Sequence, residues 1–231
     1  MIEKKERIAK KMADAGLCSR REAERWILAG RVQVNGKILK TPACVVGNVD
    51  VVLVDGKPLA QKGQTRVWMY HKPAGLIVSA HDPQGRSTIF EHLPKEMPRV
   101  ISVGRLDLNS EGLLLLTNDG AWARKMELPA NGWERTYRVR VHGLISGEVL
   151  GRLSKGVKVD GIQYAPCQVE IERKQGTNTW LKMTLHEGKN REIRKLMKFF
   201  GLEVSRLIRI SYGPYQLGTL KPGAVQEAPC A

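Results

Sequence analysis

The sequence predicts an α+β protein in two parts: a small module of two short helices and a hairpin over residues 1–60, and a larger domain over 61–231 built on a mixed or antiparallel sheet. Three observations carry this. Two helical patterns with start and stop signals run straight into an Asn-Gly hairpin signal. A polar stretch from Gly56 to Gln64 then breaks all periodicity. Beyond it, apolar residues recur mainly with the period of two that marks half-buried strands.

In the first part, Arg7 to Ala15 reads as a helix with Ile8 and Met12 inward, ended by Gly16. Ser19-Arg20-Arg21-Glu22 has the capping-box form, with Ser19 able to cap and Glu22 able to reach back. Ala23, Trp26 and Ile27 supply the apolar stripe of that second helix, which leaves Arg20, Arg21 and Arg25 on or near its outer face. Val32 and Val34 alternate with polar residues up to Asn35-Gly36, and Val49 to Val54 gives another strand ending at Asp55-Gly56.

In the second part, Val67 to Tyr70 reads as a strand entering the turn-rich His71-Lys72-Pro73-Ala74-Gly75. The glycine-containing loop from Asp82 to Arg86, which ends on an arginine, could meet RNA, although an ordinary surface turn accounts for it more simply. Ile101 to Val103 and the solid run Leu113 to Leu116 read as two buried strands, so Arg105-Leu106-Asp107-Leu108-Asn109 between them must be a tight loop on a rigid support. Loops so held often carry reactive side chains, but a lone Asp in a turn more often just closes it. A helix follows from Asp119-Gly120 through Met126, which Pro129 prevents from continuing. From Arg135 to Val141, Tyr137, Val139 and Val141 share one face of a strand; from Trp180 to Leu185, Leu181, Met183 and Leu185 do the same. Ser146 to Lys155 can form a capped helix, and Val157 to Glu172 is strand-rich without a clear period. The helix from Asn190 to Phe200 turns Ile193, Leu196, Met197 and Phe200 inward and sets Arg191, Arg194, Lys195 and Lys198 opposite.

The 38 Lys and Arg against 23 Asp and Glu leave a net charge of +15, of which +6 lies in residues 1–62 and +9 in the remainder. That charge points to a polyanion, and nucleic acid fits better than a membrane, since no lipidation signal or long basic amphipathic helix is present. Met1 to Glu6 is charged and lacks an apolar signal core, and no apolar run approaches membrane-spanning length, so a cytoplasmic protein is expected. Cys18, Cys44, Cys167 and Cys230 form no CxxC pair and the five histidines no metal-ligating pattern, so no structural metal is expected. There is no dinucleotide fingerprint and no phosphate-binding loop, and no cofactor is expected.

Several strings carry a family resemblance. GRLDLNSEGLLLLTNDG, from Gly104 to Gly120, resembles the catalytic motif of pseudouridine synthases of the bacterial ribosomal small-subunit type and their B-type large-subunit relatives. KPAGLIVSAHDPQGRSTIFEHLP is similar to that family's opening segment, EGKNREIRKL to its third motif, and SRLIRISYGPYQLGTLKPG to its C-terminal strands. CSRREAERWILAGRVQVNGK looks like the αL RNA-binding motif of one small-subunit ribosomal protein and several RNA-modifying enzymes, a likeness running from about Glu3 to Leu59. The resemblance implies that Asp107 is the catalytic residue, that Tyr137 stacks on the target base, and that Arg194 pairs with Asp107 and orients it. Arg105 joins these as a substrate contact. Lys189, Arg191 and Lys195 would meet phosphates, and Arg20, Arg21 and Arg25 would grip the RNA backbone. Taken alone, Tyr137 is more often a core aromatic than a ligand contact, and the arginines are equally a solvated face.

The implied reaction isomerises a uridine of ribosomal RNA to pseudouridine on a flipped-out base. NGWERTYRVRVHG and EGKNREIRKLMKFFG look more like the large-subunit synthases, which favours 23S RNA over 16S RNA and transfer RNA. The competing class is a non-catalytic RNA-binding or ribosome-assembly protein, which would have no need of a paired carboxylate in a turn.

Overall fold

A computed structural model describes residues 5–231; the opening Met1–Lys4 lies outside the described residues. The chain divides into two compact units. One holds the residues up to Thr65 together with Pro98–Val100 and Asn118–Gly120, and the other holds the remainder.

In the first unit, helices Ile8–Asp14 and Arg20–Leu28 pack their Ile8, Met12, Ala23 and Ile27 side chains with Val32, Val52 and Val54 into one core. Ser19 Oγ accepts from the Glu22 amide at 3.1 Å, so the expected cap forms. Only half the box does, because the Glu22 carboxylate lies 3.5 Å from Arg25 instead. Trp26 is half-buried, and the Arg31 guanidinium sits 4.3 Å from its ring centroid. Arg20, Arg21 and Arg25 are all exposed.

A four-stranded antiparallel sheet follows, in the order Lys37–Ile38, Val32–Val34, Val52–Val54, Lys57–Pro58. Asn35-Gly36 and Asp55-Gly56 both have positive φ at both positions, as tight two-residue hairpin turns require. Lys57–Pro58, expected in the aperiodic linker, is thus the last strand of this sheet; proline, with no amide to donate, suits such an edge.

The second unit is built on a nine-stranded sheet. Its path runs Gln168–Gln175, Asn178–Leu185, Arg135–His142, Glu203–Tyr212, Glu111–Thr117, Val67–Lys72, Val225–Ala228, with Ile101–Val103 and Tyr215–Gln216 attached beside it. The pairing of Glu111–Thr117 with Glu203–Tyr212 is parallel, through Ile208 opposite Glu111 and Arg209 opposite Gly112. The other pairings in this sheet are antiparallel.

One edge of Glu111–Thr117 serves two partners. It pairs with Glu203–Tyr212 at Glu111 and Gly112, then with Ile101–Val103 from Leu115 to Thr117, while Val67–Lys72 holds the opposite edge. The two partners must therefore part company after Gly112, and the 104–110 loop leaves from that split. Gly112 itself is obligatory. Its φ is +102°, and a Cβ there would lie 2.2 Å from the Arg209 carbonyl oxygen.

Two hydrophobic clusters flank the split. Val139, Val141, Leu181, Met183, Leu185, Ile193, Leu196, Met197 and Leu207 form one, and Val67, Val103, Leu113, Leu115, Trp122, Met126 and Tyr212 belong to the other. The third-motif helix runs Glu192–Phe199, shorter at its start than expected, because Arg191 adopts a left-handed conformation at φ +51° and stands outside it. No helix among the described residues is long and apolar enough to cross a membrane.

Candidate active site

The 104–110 loop is held by its backbone. Gly104 N donates to Glu127 Oε1 at 2.8 Å, and Ser110 N closes the turn on the Asp107 carbonyl at 3.0 Å. The Leu108 carbonyl accepts from Gly75 N at 2.8 Å and from Lys72 Nζ at 3.2 Å, the Ser110 carbonyl from Lys72 Nζ at 2.8 Å, and the Asn109 carbonyl from Arg194 Nη2 at 3.0 Å. Each carbonyl from Asp107 to Ser110 thus has a donor, and two of those donors are cations. The Asp107 side chain is free of that task and projects toward Arg191, whose Nη1 lies 3.5 Å from Oδ2.

This corrects one expectation. Arg191, expected on a phosphate, makes the direct contact with the carboxylate. Arg194, expected in that place, lies on the helix proper, where its guanidinium spans the carbonyls of Asn109 and Val204 and steadies the loop from behind. The left-handed turn at Arg191 explains the exchange, since it takes that side chain off the helix face and sends it across to Asp107.

Lys72 was not expected at the site at all. It has no exposed surface, and its ammonium donates to the carbonyls of Pro73, Leu108 and Ser110. Burial brings it down to about 8 against an ordinary 10.5, with Asp107 and Glu111 pulling the other way. The signal was a lysine in phase with the buried Trp68 and Tyr70 of its strand. Arg209 gives the same signal, following Leu207 on the buried phase of Glu203–Tyr212.

A cavity of about 250 Å³ opens beside Asp107, lined from both clusters by Tyr137, Leu185, Ile193, Leu207 and Tyr212, and by Arg105, Arg135, Lys189, Arg191, Arg209, Glu127, Glu187 and Glu192. It adjoins a groove of about 830 Å³ that shares Gly104, Arg105, Asp107, Lys189 and Arg191 and extends to Ser79, His81 and Arg86. The cavity falls just under the roughly 300 Å³ at which drug-sized sites begin, a size for one base rather than a longer ligand.

Tyr137 is half-buried on the strand between Met183 and Arg209, its register partners on either side. Arg135 Nη2 donates to Tyr212 Oη at 3.0 Å. Glu192 is driven up to about 7, first by burial and then by the neighbouring Glu187 carboxylate. Burial also acts to raise Glu187, but the Ala165 amide and the Lys189 ammonium outweigh it and hold that carboxyl below the usual range.

Of the residues singled out in the sequence, Asp107, Arg105, Tyr137, Lys189 and Arg191 come together at this cavity. Arg194 supports it, and Lys195 is half-buried on the same helix without lining it. Arg20, Arg21 and Arg25 belong to the other unit.

A carboxylate on a firmly held loop, a half-buried tyrosine and several cations share one small cavity, a setting that suits a flat, anionic ligand such as a nucleotide. The particular family follows from comparison with known proteins. The sequence profile of RNA pseudouridylate synthases matches residues 66–199 and that of the S4 domain residues 6–48, and the chain belongs to the RNA pseudouridylate synthase family. An uncharacterized RNA pseudouridine synthase of Rickettsia felis is 47% identical over 222 residues, covering 96% of each chain. The ribosomal large subunit pseudouridine synthase B of Haemophilus influenzae is 44% identical over 222 residues, covering 92% of this chain and 61% of that one. A crystal structure of a pseudouridylate synthase superposes with a TM-score of 0.70 at 24% identity, covering 96% of both chains, which speaks for the fold.

Proposed function

We propose that this pseudouridine synthase acts on a uridine of 23S ribosomal RNA, with Asp107 as its catalytic residue. The observation that carries the assignment is the Asp107 carboxylate, freed from turn closure and 3.5 Å from Arg191 at the edge of a base-sized cavity. A non-catalytic RNA binder has no use for such a group.

The target base, stacked in RNA, must first leave the stack, at a cost of a few kcal/mol. Tyr137 offers a flat face that any uracil can use, and such stacking contributes about 1–3 kcal/mol per base. Arg105 and Lys189 line both the cavity and the groove, where the flanking phosphates would lie, while Arg191 stays with Asp107; Arg20, Arg21 and Arg25 of the other unit would hold RNA backbone. Asp107 then acts at the sugar carbon while the uracil turns in place, exchanging its N1 bond for a C5 bond. The base is kept, so one carboxylate suffices where a hydrolytic glycosidase would place two across the bond.

The large-subunit target is supported by the name of the Haemophilus relative. It is tested by mapping pseudouridines in ribosomal RNA from cells with and without the gene, and from cells complemented with Asp107→Asn. Loss of one 23S pseudouridine, not restored by the variant, is expected. A lost site in 16S RNA would move the substrate, and a full set of pseudouridines without the gene would refute the assignment.

A further inference from the structure

We propose that Arg209 is a base-binding residue, donating to a carbonyl oxygen of the flipped uracil and holding the charge that the ring acquires as its bond to the sugar breaks. Arg209 is 2% exposed, and its Nε donates to the Leu113 carbonyl at 2.7 Å. Its Nη2 is buried and has no acceptor among the described residues. A buried guanidinium nitrogen without an acceptor is costly, and a site is where such a donor is left waiting for one. Its neighbour Arg135 is already committed to the Tyr212 hydroxyl, whereas Nη2 of Arg209 is uncommitted.

Position selects the acceptor. Arg209 is the direct cross-strand partner of Tyr137, and both line the Asp107 cavity. Side chains opposed in this way share one face of the sheet, about 5 Å apart, so a ring lying on Tyr137 brings its edge to Arg209. The exposed cations Arg105 and Lys189 are better placed for phosphates, which keep their hydration at the mouth, and Arg191 lies against Asp107.

Chemistry makes that contact useful. Heterolysis of the C1′–N1 bond leaves its electron pair in the uracil ring, spread over N1 and the two carbonyl oxygens. The ring later gives a pair from C5 to C1′, loses the C5 proton to water and takes a proton on N1. The hydrogen bond from the Arg209 guanidinium is stronger to the anion than to the neutral base, which lowers the barrier.

The inference rests on the assignment of Asp107 and Tyr137 above. It is tested by single-turnover release of C5 tritium from a synthetic RNA carrying the mapped target as uridine, 2-thiouridine or 4-thiouridine. Sulfur accepts hydrogen bonds poorly, so one of the two thio positions is expected to be handled anomalously by the wild type. Arg209→Met is expected to slow the chemical step about 10²-fold, a larger loss than any in RNA affinity. It is also expected to shrink the uridine-to-thiouridine rate ratio at that one position by at least about fivefold, with Arg209→Lys intermediate. Equal handling of both thio positions by the wild type overturns the proposal without any variant, as does a wild-type rate in Arg209→Met. Turnover by Asp107→Asn, run in parallel, would instead overturn the active-site assignment.

Discussion

Replacing Lys72 by Met isolates what holds the Asp107 loop. The two side chains have similar length, so packing is largely kept, while the carbonyls of Pro73, Leu108 and Ser110 lose a charged donor. Leu108 retains the Gly75 amide, so the loss falls mainly on Pro73 and Ser110. Each buried acceptor left without a partner costs about 1–3 kcal/mol, partly offset because a buried ammonium is no longer present. A net loss of about 2–3 kcal/mol is expected for the catalytic unit, or roughly 4–12 °C in its melting temperature. The rate should fall about 10²-fold if the carboxylate shifts by an ångström.

A pH signature separates this from simple loss of packing. Lys72 titrates at about 8 in the fold against an ordinary 10.5, so between those values the unfolded chain binds a proton that the folded one has released. Wild-type stability should therefore gain from this group as pH rises from about 8 to about 10.5, and the Met variant should lack that gain. Calorimetry across this range, with single-turnover rates beside it, measures all three effects. A variant that melts with the wild type, keeps its rate and shows the same alkaline profile would refute this role for Lys72 in the loop.

Other substitutions test neighbouring parts. Glu192 titrates near 7 in the fold against 4.5 when free, so wild-type stability should decline through that interval as pH rises; Glu192→Gln should melt higher at pH 8 and lack that decline in a pH-dependent melting series. Arg191→Ala, which removes a half-exposed pair, should change stability by less than about 0.5 kcal/mol yet lower turnover, whereas Arg194→Ala should lower both, as read by urea titration alongside tritium release. Gly112→Ala should destabilise the catalytic unit by more than about 3 kcal/mol, since its Cβ would meet the Arg209 backbone at a φ that alanine avoids; urea denaturation reads this directly.

Much of the fold was legible because it follows local rules. The Leu113–Leu116 run, the Tyr137, Val139, Val141 alternation and the Ser19 cap each state their own conformation, and the strands Glu111–Thr117 and Arg135–His142 and the Ser19-capped helix form where expected. What was hidden depends on partners distant in sequence. Nothing in Glu203–Tyr212 announces a parallel neighbour, so the split beside Gly112 could not be foreseen. The exchange of Arg191 for Arg194 turned on a single residue leaving the helical region, which periodicity cannot register. Lys72 and Arg209 were visible only as charges on the inward phase of a strand, a clue that gains meaning once the site is assembled.

The Asp107 carboxylate carries the catalytic assignment, and one substitution tests it most directly. Asp107→Asn keeps the size and the turn, so RNA affinity by filter binding should match the wild type while tritium release from C5-labelled uridine in ribosomal RNA falls to background. Release at anything near the wild-type rate, with binding intact, would contradict it.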